Sequence, residues 1–442
     1  MHTTLNVMTA IKNLVNDPAF KAKHRISESA FTRKRHLSFV RVTVLILQKS
    51  LKSLQLRLNE FFGKLQQTLH LPLETVTASA LTQARQKLKY TVFCDLTTQA
   101  LVATYYQTPT YRTWRGLRVM AVDGSKIRLP DTPDMRREFG AIAFSNQHPG
   151  VQGEYPYGLS VVYYDVLNQI PFASTLAHST AYEVEVAIAL HPPLMPTDLV
   201  LCDRGFPSYR FFATLLAANT HVVGRCSRMS FAEARSLFAD DAPVSRVVTL
   251  RPPPGQKASL RALGLPLAIR IRFVRVVLDS GEVEVLGTSL LDDATFPSAL
   301  FKELYGLRWG VETFYDRVKN RLNLEHFSGK TVEAVKQDFY ATLFISGLES
   351  ILIHDAQQHL DHKTARNQYP QQVNKMVSFN TIKNHVIDLF LSDLDPRTLY
   401  AELTQLFLTN PVPIRHGRKV DRIKRKATQL VHYYKRIKKI CF

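Results

Sequence analysis

The chain has 442 residues, 45% of them hydrophobic and 21% charged, enough apolar material to bury sizeable cores and too much for a chain disordered along most of its length. Lys and Arg outnumber Asp and Glu by 57 to 37, a formal net charge of +20, which argues against a sugar- or cation-handling surface and for a polyanionic partner. The excess sits at the two ends, in residues 1–114 and 415–442, while 115–414 is close to neutral, so basic arms can grip phosphates around an acidic centre.

The N-terminus lacks the apolar run and small-residue cleavage site of a signal peptide, and no stretch approaches 18 apolar residues. The four cysteines, Cys94, Cys202, Cys226 and Cys441, lie far apart without a C-x-x-C pair, which argues against zinc and disulfide frameworks and for a reducing cytoplasm.

Residues 1–112 read as helical. Leu37–Leu65 carries apolar residues at helical spacing with basic residues between them. After the break at Leu71-Pro72-Leu73, Thr77 or Ser79 can cap a helix that presents Gln83, Arg85, Gln86 and Lys87 outward. Such a helix suits a DNA major groove, and equally a bundle with a solvated basic face. From Leu117 the pattern turns to strands: LRVMAVDG, then YGLSVVYYDVL and IPFASTLAHS joined around Asn168. A helix follows at EVEVAIAL, a buried strand at TDLVLCDRGF, a helix at YRFFATLLAAN and a strand at THVVGRC. This order predicts an α/β unit with a mixed sheet. Residues 226–297 are β-rich, broken by Pro252-Pro253-Pro254-Gly255, and read as a small β insertion. One long helix is expected from near Ser298 past Asn320, further helices to about residue 408, and then a basic tail containing Tyr433 and Tyr434.

Two carboxylates mark strand ends: Asp123, followed by Gly124, and Asp203, followed by Arg204-Gly205. Ligand sites in α/β sheets gather beyond the carboxyl ends of strands. Asp-Gly is also a common turn, but two such aspartates, both at strand ends, favour a site. In ELYGLRWGVETFYDRVKNRL, Tyr305, Arg308, Glu312 and Lys319 recur at spacings that place them on one narrow arc of an ideal helix. The apolar stripe Leu304, Leu307, Val311, Phe314, Val318 and Leu322 lies beside that arc, so the helix packs by one face and lines a cleft with the next. The bland reading is an Arg308–Glu312 pair on a surface helix, in the less favourable order for helix support. Trp309 reads as core or cleft wall, and His148 and His326 as ordinary histidines.

The spacing Y-x2-R-x3-E-x6-K, with AVDGS and DRGF upstream, resembles the DDE transposases of bacterial insertion sequences, in the group named after insertion sequence four. FTRKRHLSFVRV, SALTQARQKL and FSGKTVEAVKQDFYATLF also look like that group, so the resemblance covers most of residues 30–435. It implies an RNase H-like catalytic core with a β-rich insertion, a helical N-terminal DNA-binding region and a basic C-terminal tail. The corresponding segments are 1–112, 113–225 with 298–409 as the two parts of the core, 226–297 and 410–442. It makes Asp123, Asp203 and Glu312 the catalytic, metal-holding triad and Tyr305, Arg308 and Lys319 DNA contacts, with Gln83, Arg85 and Lys87 as further DNA-contact candidates. The implied activity is cut-and-paste transposition. The enzyme binds terminal inverted repeats, cleaves the ends with two Mg²⁺ ions (Mn²⁺ able to replace them), and joins the 3′-OH to target DNA. A cytoplasmic homodimer on double-stranded DNA, away from membranes, is the implied assembly. One departure stands: no insertion residue is identifiable as an aromatic that stacks on a flipped base. Two other classes fit the same residues, an RNase H-like structure-specific nuclease without strand transfer and a non-catalytic DNA-binding relative.

Overall fold

The computed structural model describes residues 2–415 apart from 71, 73, 146–151 and 191. The expected basic tail from 416 onward, with Tyr433, Tyr434 and Cys441, lies outside the described residues, as does His148. Among the described residues no helix is long and apolar enough to cross a membrane. The chain divides into two compact units, one comprising 112–127 with 158–317, the other 1–111, 128–157 and 318–442. These boundaries differ from the segments expected by composition, because residues far apart in sequence share each core.

The first unit is built on a mixed sheet. Its strands are β1 (Arg118–Arg128), β2 (Ala141–Ser145), β3 (Gln152–Asp165), β4 (Ile170–His178), β5 (Asp198–Cys202), β6 (His221–Cys226), β7 (Ser245–Leu250), β8 (Ile269–Val277) and β9 (Val283–Thr288). Of these, β2, its partner stretch of β3 and the last residue of β1 belong to the other unit. β3 and β4 form an antiparallel hairpin through the turn before Ile170, and β3 neighbours β1. β1, β5 and β6 run parallel, from Arg118↔Asp198 to Val122↔Cys202 and from Leu199↔His221 to Cys202↔Gly224. Parallel strands covered on both faces need apolar residues on both, and Val119–Val122 and Leu199–Cys202 are all buried. The helix Tyr209–Ala217, capped by Ser208, carries the chain from β5 back to β6.

Residues 226–297 are β-rich as expected, and their strands join the main sheet. β9 pairs antiparallel with β6, and β8 and β7 follow, so they extend the same sheet. The edge of β6 would otherwise present unpaired backbone groups. β1 also runs past Asp123 to Arg128 rather than ending there.

The other unit is mainly helical. Its centre is the helix Val332–Leu352, buried on nearly every side as an all-round apolar helix must be. Phe39–Leu47 and Thr91–Asp95 pack on it. A polar network crosses this core. Arg85 donates to Asp338 at 2.8 Å, to Ser328, to Gln337 and to the Ala334 carbonyl, and Lys49 Nζ donates to the Asn323 and Leu324 carbonyls at 3.0 and 3.1 Å.

Candidate active site

The register of β1 and β5 aligns the two aspartates. At the start of the paired run, Arg118 and Asp198 are register partners joined by a buried bidentate ion pair at 2.6 and 2.7 Å. A bidentate pair of this kind admits one register. The last paired positions are Val122 and Cys202, so Asp123 and Asp203 follow side by side where β1 and β5 stop pairing. Asp123 Oδ1 accepts from the Gly124 N–H at 2.9 Å. The helix Glu183–Leu190, after β4, brings a further carboxylate. A β-carbon at position 124 would stand 2.6 Å from Glu183 Oε1, so glycine leaves room for that side chain.

The signature segment is not one continuous helix. It winds as Phe301–Gly306, then Trp309–Asp316, then a π-turn over Arg317–Arg321. Between the first two, Leu307, Arg308, Gly310 and Val311 donate to carbonyls three residues back, a 3₁₀-like tightening beside Gly306 and Gly310. The apolar stripe is buried as its spacing predicts, with Leu307 less so.

Two tyrosines of this segment reach the backbone of the aspartate strands. Tyr305 is buried rather than presented to solvent, and its hydroxyl donates to the Cys202 carbonyl, next to Asp203, at 3.4 Å. Tyr315 donates to the Ser160 carbonyl at 2.9 Å and stands 3.3 Å from the Asp123 carbonyl. Arg308 is 3% exposed, and its Nη2 pairs with Glu312 Oε1 at 2.9 Å, the pairing that the bland reading of the helix foresaw. Its guanidinium lies 4.6 Å from the Trp309 ring centroid and 5.7 Å from that of Tyr305. Trp309 is 54% exposed, so it is not core: its ring covers the guanidinium from the solvent side.

The electrostatics are those of crowded carboxylates. Burial raises the Asp123 carboxyl to about 6, opposed by the Gly124 N–H and Arg308 and reinforced by Glu183 and Glu312. Burial likewise raises Glu183, with Lys126 opposing and Asp203 reinforcing. Glu284, paired with Arg225 at 3.0 Å, is raised by burial too and feels Asp203. Among the described residues no three acidic, histidine or cysteine side chains stand close enough to hold one metal ion as they are.

The remaining candidates lie in the helical unit. Lys319 sits on the π-turn, where burial lowers its ammonium and Glu325 opposes that shift. Gln83 and Lys87 are exposed and, with Arg33, Lys34, Arg35 and His36, line a cavity of about 700 Å³. Arg85 does not face outward: its guanidinium is committed to Asp338 and neighbours 243 or more residues away in sequence, a partner that local spacing cannot reveal. Spacing also missed Glu183 and Tyr315. Glu183 reads as an ordinary first-turn acid, and the only hint was a glycine directly after Asp123.

Residues 114–348 match the family described as transposase DDE domain. The chain belongs to that family. It is 26% identical over 291 residues to transposase InsG for insertion sequence element IS4 of Escherichia coli (strain K12), which is the group whose signature the sequence carries. That match covers 64% of this chain and 63% of the relative, so the chain spans somewhat less than two thirds of it. A piggyBac transposase in a synaptic complex with hairpin DNA, solved by cryo-EM, is similar with a TM-score of 0.40 and 11% identity over 98% of this chain and 84% of that one. At that level the likeness says nothing about the site.

Proposed function

We propose that this DDE-family chain is a DNA transposase of insertion-sequence-four type. It would bind the terminal inverted repeats of its element, cleave the ends and join the freed 3′-OH to target DNA. The observation that carries this reading is the side-by-side emergence of Asp123 and Asp203 from paired parallel strands, with Glu312 in the same unit. The strand order β4-β3-β1-β5-β6, with β1, β5 and β6 parallel, supports an RNase H-like core.

The donor set suits a hard divalent cation, since carboxylate oxygens are its preferred ligands. The space left by Gly124 keeps the carboxylates close. In this reading Asp123, Asp203 and Glu312 hold the cations, two Mg²⁺ ions or Mn²⁺ in their place. A bound divalent cation supplies Lewis acidity at the scissile phosphate. The chain's own residues do the rest. Tyr305 and Tyr315 hydrogen-bond the backbone of the strands that carry the aspartates. Arg308 Nε is buried and has no hydrogen-bond partner among the described residues. Buried donors seldom stay unpaired, so this one suits a phosphate oxygen. Glu312, paired with Arg308 in this structure, would hold the cation once released from that pair, which would leave the Arg308 guanidinium for the DNA backbone. Lys319 adds a point charge for phosphate. The groove lined by Gln83, Lys87 and residues 33–36 supports end binding by the N-terminal region, with the basic tail adding sequence-independent grip. Two element ends call for two protomers, hence a homodimer on DNA, acting in the cytoplasm.

The deciding experiment incubates the protein with a linear duplex ending in the inverted repeats that flank its gene, a target plasmid and Mg²⁺. Joined product with a 3′-OH donor is expected, and is lost in Asp123→Ala, Asp203→Ala and Glu312→Ala with end binding retained. Cleavage without joining would indicate a nuclease, and binding with neither would indicate a non-catalytic relative.

A further inference from the structure

Arg308 is 3% exposed, and its pairing of Nη2 with Glu312 Oε1 at 2.9 Å is the one that the proposed mechanism breaks. Its Nε has no hydrogen-bond partner among the described residues. What then holds the guanidinium is the pair of rings on its own segment. The Trp309 centroid lies 4.6 Å from its Cζ and the Tyr305 centroid 5.7 Å, both within the roughly 6 Å over which a ring face attracts a cation. The winding of the segment explains both contacts. Residues three apart eclipse each other in a 3₁₀ turn, and the Arg308 N–H donates to the Tyr305 carbonyl at 3.0 Å in such a turn, which sets Tyr305 beside Arg308. Successive residues of a regular helix do not face each other. Trp309 meets Arg308 because the winding changes between them, from that turn to the helix Trp309–Asp316. Tyr305 is buried and tied to the Cys202 carbonyl, so the inner ring is fixed. Trp309, at 54% exposed, is the outer ring, with solvent on one side and Arg308 on the other.

We infer that Trp309 is a positioning residue for Arg308: its ring keeps the guanidinium plane in place and away from water once Glu312 is released, so that the freed N–H groups meet the scissile phosphate already oriented. This rests on the reading of Arg308 as a phosphate contact. A ring suits the task better than a second carboxylate. It holds the cation by its flat face and leaves the in-plane N–H groups for phosphate, whereas an acid would compete for those same groups. Ring and guanidinium belong to consecutive residues, so the stack does not depend on where Glu312 goes.

The stack is tested first on the full-length protein without DNA or metal. The chain has two tryptophans, and the other, Trp114, stacks on Phe296, so in a Trp114→Phe background the emission reports Trp309 alone. Arg308→Ala is expected to raise acrylamide quenching of that emission by uncovering the inner side of the ring, and unchanged quenching overturns the stack. The role is tested by single-turnover cleavage of a duplex carrying the inverted repeat that flanks the gene. Trp309→Ala is expected to slow cleavage at saturating DNA by about tenfold or more, with end affinity and melting temperature close to wild type. Trp309→Phe should recover most of the rate. In an Arg308→Ala background Trp309→Ala should slow cleavage no further. A wild-type rate in Trp309→Ala overturns the inference, as does a full further loss in the double variant. Weaker end binding with an unchanged saturated rate makes Trp309 a DNA contact in its own right and also overturns it. A lower melting temperature that accompanies the slower rate and is not recovered by phenylalanine assigns the ring to helix support. If the wild type itself cleaves no ends, the reading of Arg308 fails and takes this role with it, while the quenching result for the stack stands.

Discussion

Burial opposes the charge of Asp123, and the consequence can be read against pH. Burial lifts its carboxyl to about 6, above the roughly 3.9 of an unfolded aspartate. A native state that holds a proton more tightly than the unfolded chain gains stability from it below about 4 and loses that gain as pH rises through about 6. The metal-free protein should therefore lose thermal stability across that window, and Asp123→Asn should flatten the loss. Divalent-cation affinity should climb over the same window, since ligation needs the ionised carboxylate. An identical stability profile in the variant would show that Asp123 does not titrate there. Arg308 gives the second residue-scale prediction. Arg308→Ala frees Glu312, so cation affinity without DNA should hold or rise while end cleavage falls, and Arg308→Lys should restore cleavage only in part because the planar fork is lost. If Arg308 only supported its helix, its loss would lower stability by more than the ~0.3–0.5 kcal/mol of an exposed i,i+4 pair, because the guanidinium is buried, with cleavage normal. Measuring melting and cleavage on the same variant separates the two.

The signature segment sets both what the sequence made legible and what it hid. Its apolar stripe was readable because burial of Leu304, Val311, Phe314, Val318 and Leu322 follows helical periodicity. The parallel strands were readable because β1 and β5 are buried on both faces and so are apolar without alternation. Asp123 and Asp203 stood out because each breaks such an apolar run. The tightening at Leu307–Val311 and the π-turn at Arg317–Arg321 were hidden, since a periodicity of 100° per residue assumes an uninterrupted helix. The paths of β7, β8 and β9 into the main sheet were hidden for another reason: strand pairing is decided by which edge is open, not by the strand's own composition. Tyr315 follows Phe314 in what reads as core, and nothing local marks its hydroxyl as the group that meets Ser160 and the Asp123 carbonyl. Tyr315→Phe should destabilise the protein by about 1 kcal/mol and weaken cation binding by moving Asp123. In an Asp123→Asn background Tyr315→Phe should then add little to the loss of binding. Fully additive losses would mean that Tyr315 acts on stability alone.

At the scale of the whole molecule, the +20 charge has two parts with separable effects on DNA. The cations of residues 416–442 lie in a stretch of sequence without base-reading patterns, and released counterions make such contacts independent of DNA sequence. The cavity lined by Gln83, Lys87 and residues 33–36 differs, because a glutamine among basic residues can read base edges as well as phosphates. Deleting 416–442 should weaken binding to every duplex by a similar factor. The slope of log K against log salt should become shallower by about 0.9 for each phosphate that the tail no longer neutralises, with preference for the element's own ends unchanged. Gln83→Ala with Lys87→Ala should do the reverse: a small change in salt slope and a large fall in the ratio of end binding to random-sequence binding. Competition binding with labelled end DNA at several salt concentrations measures both quantities on one set of variants. An unaltered slope after the deletion would take the tail off DNA and leave it for contacts between protomers. An unaltered ratio in the double variant would return the outward face of the 78–85 helix to the solvated basic surface that its composition equally allows.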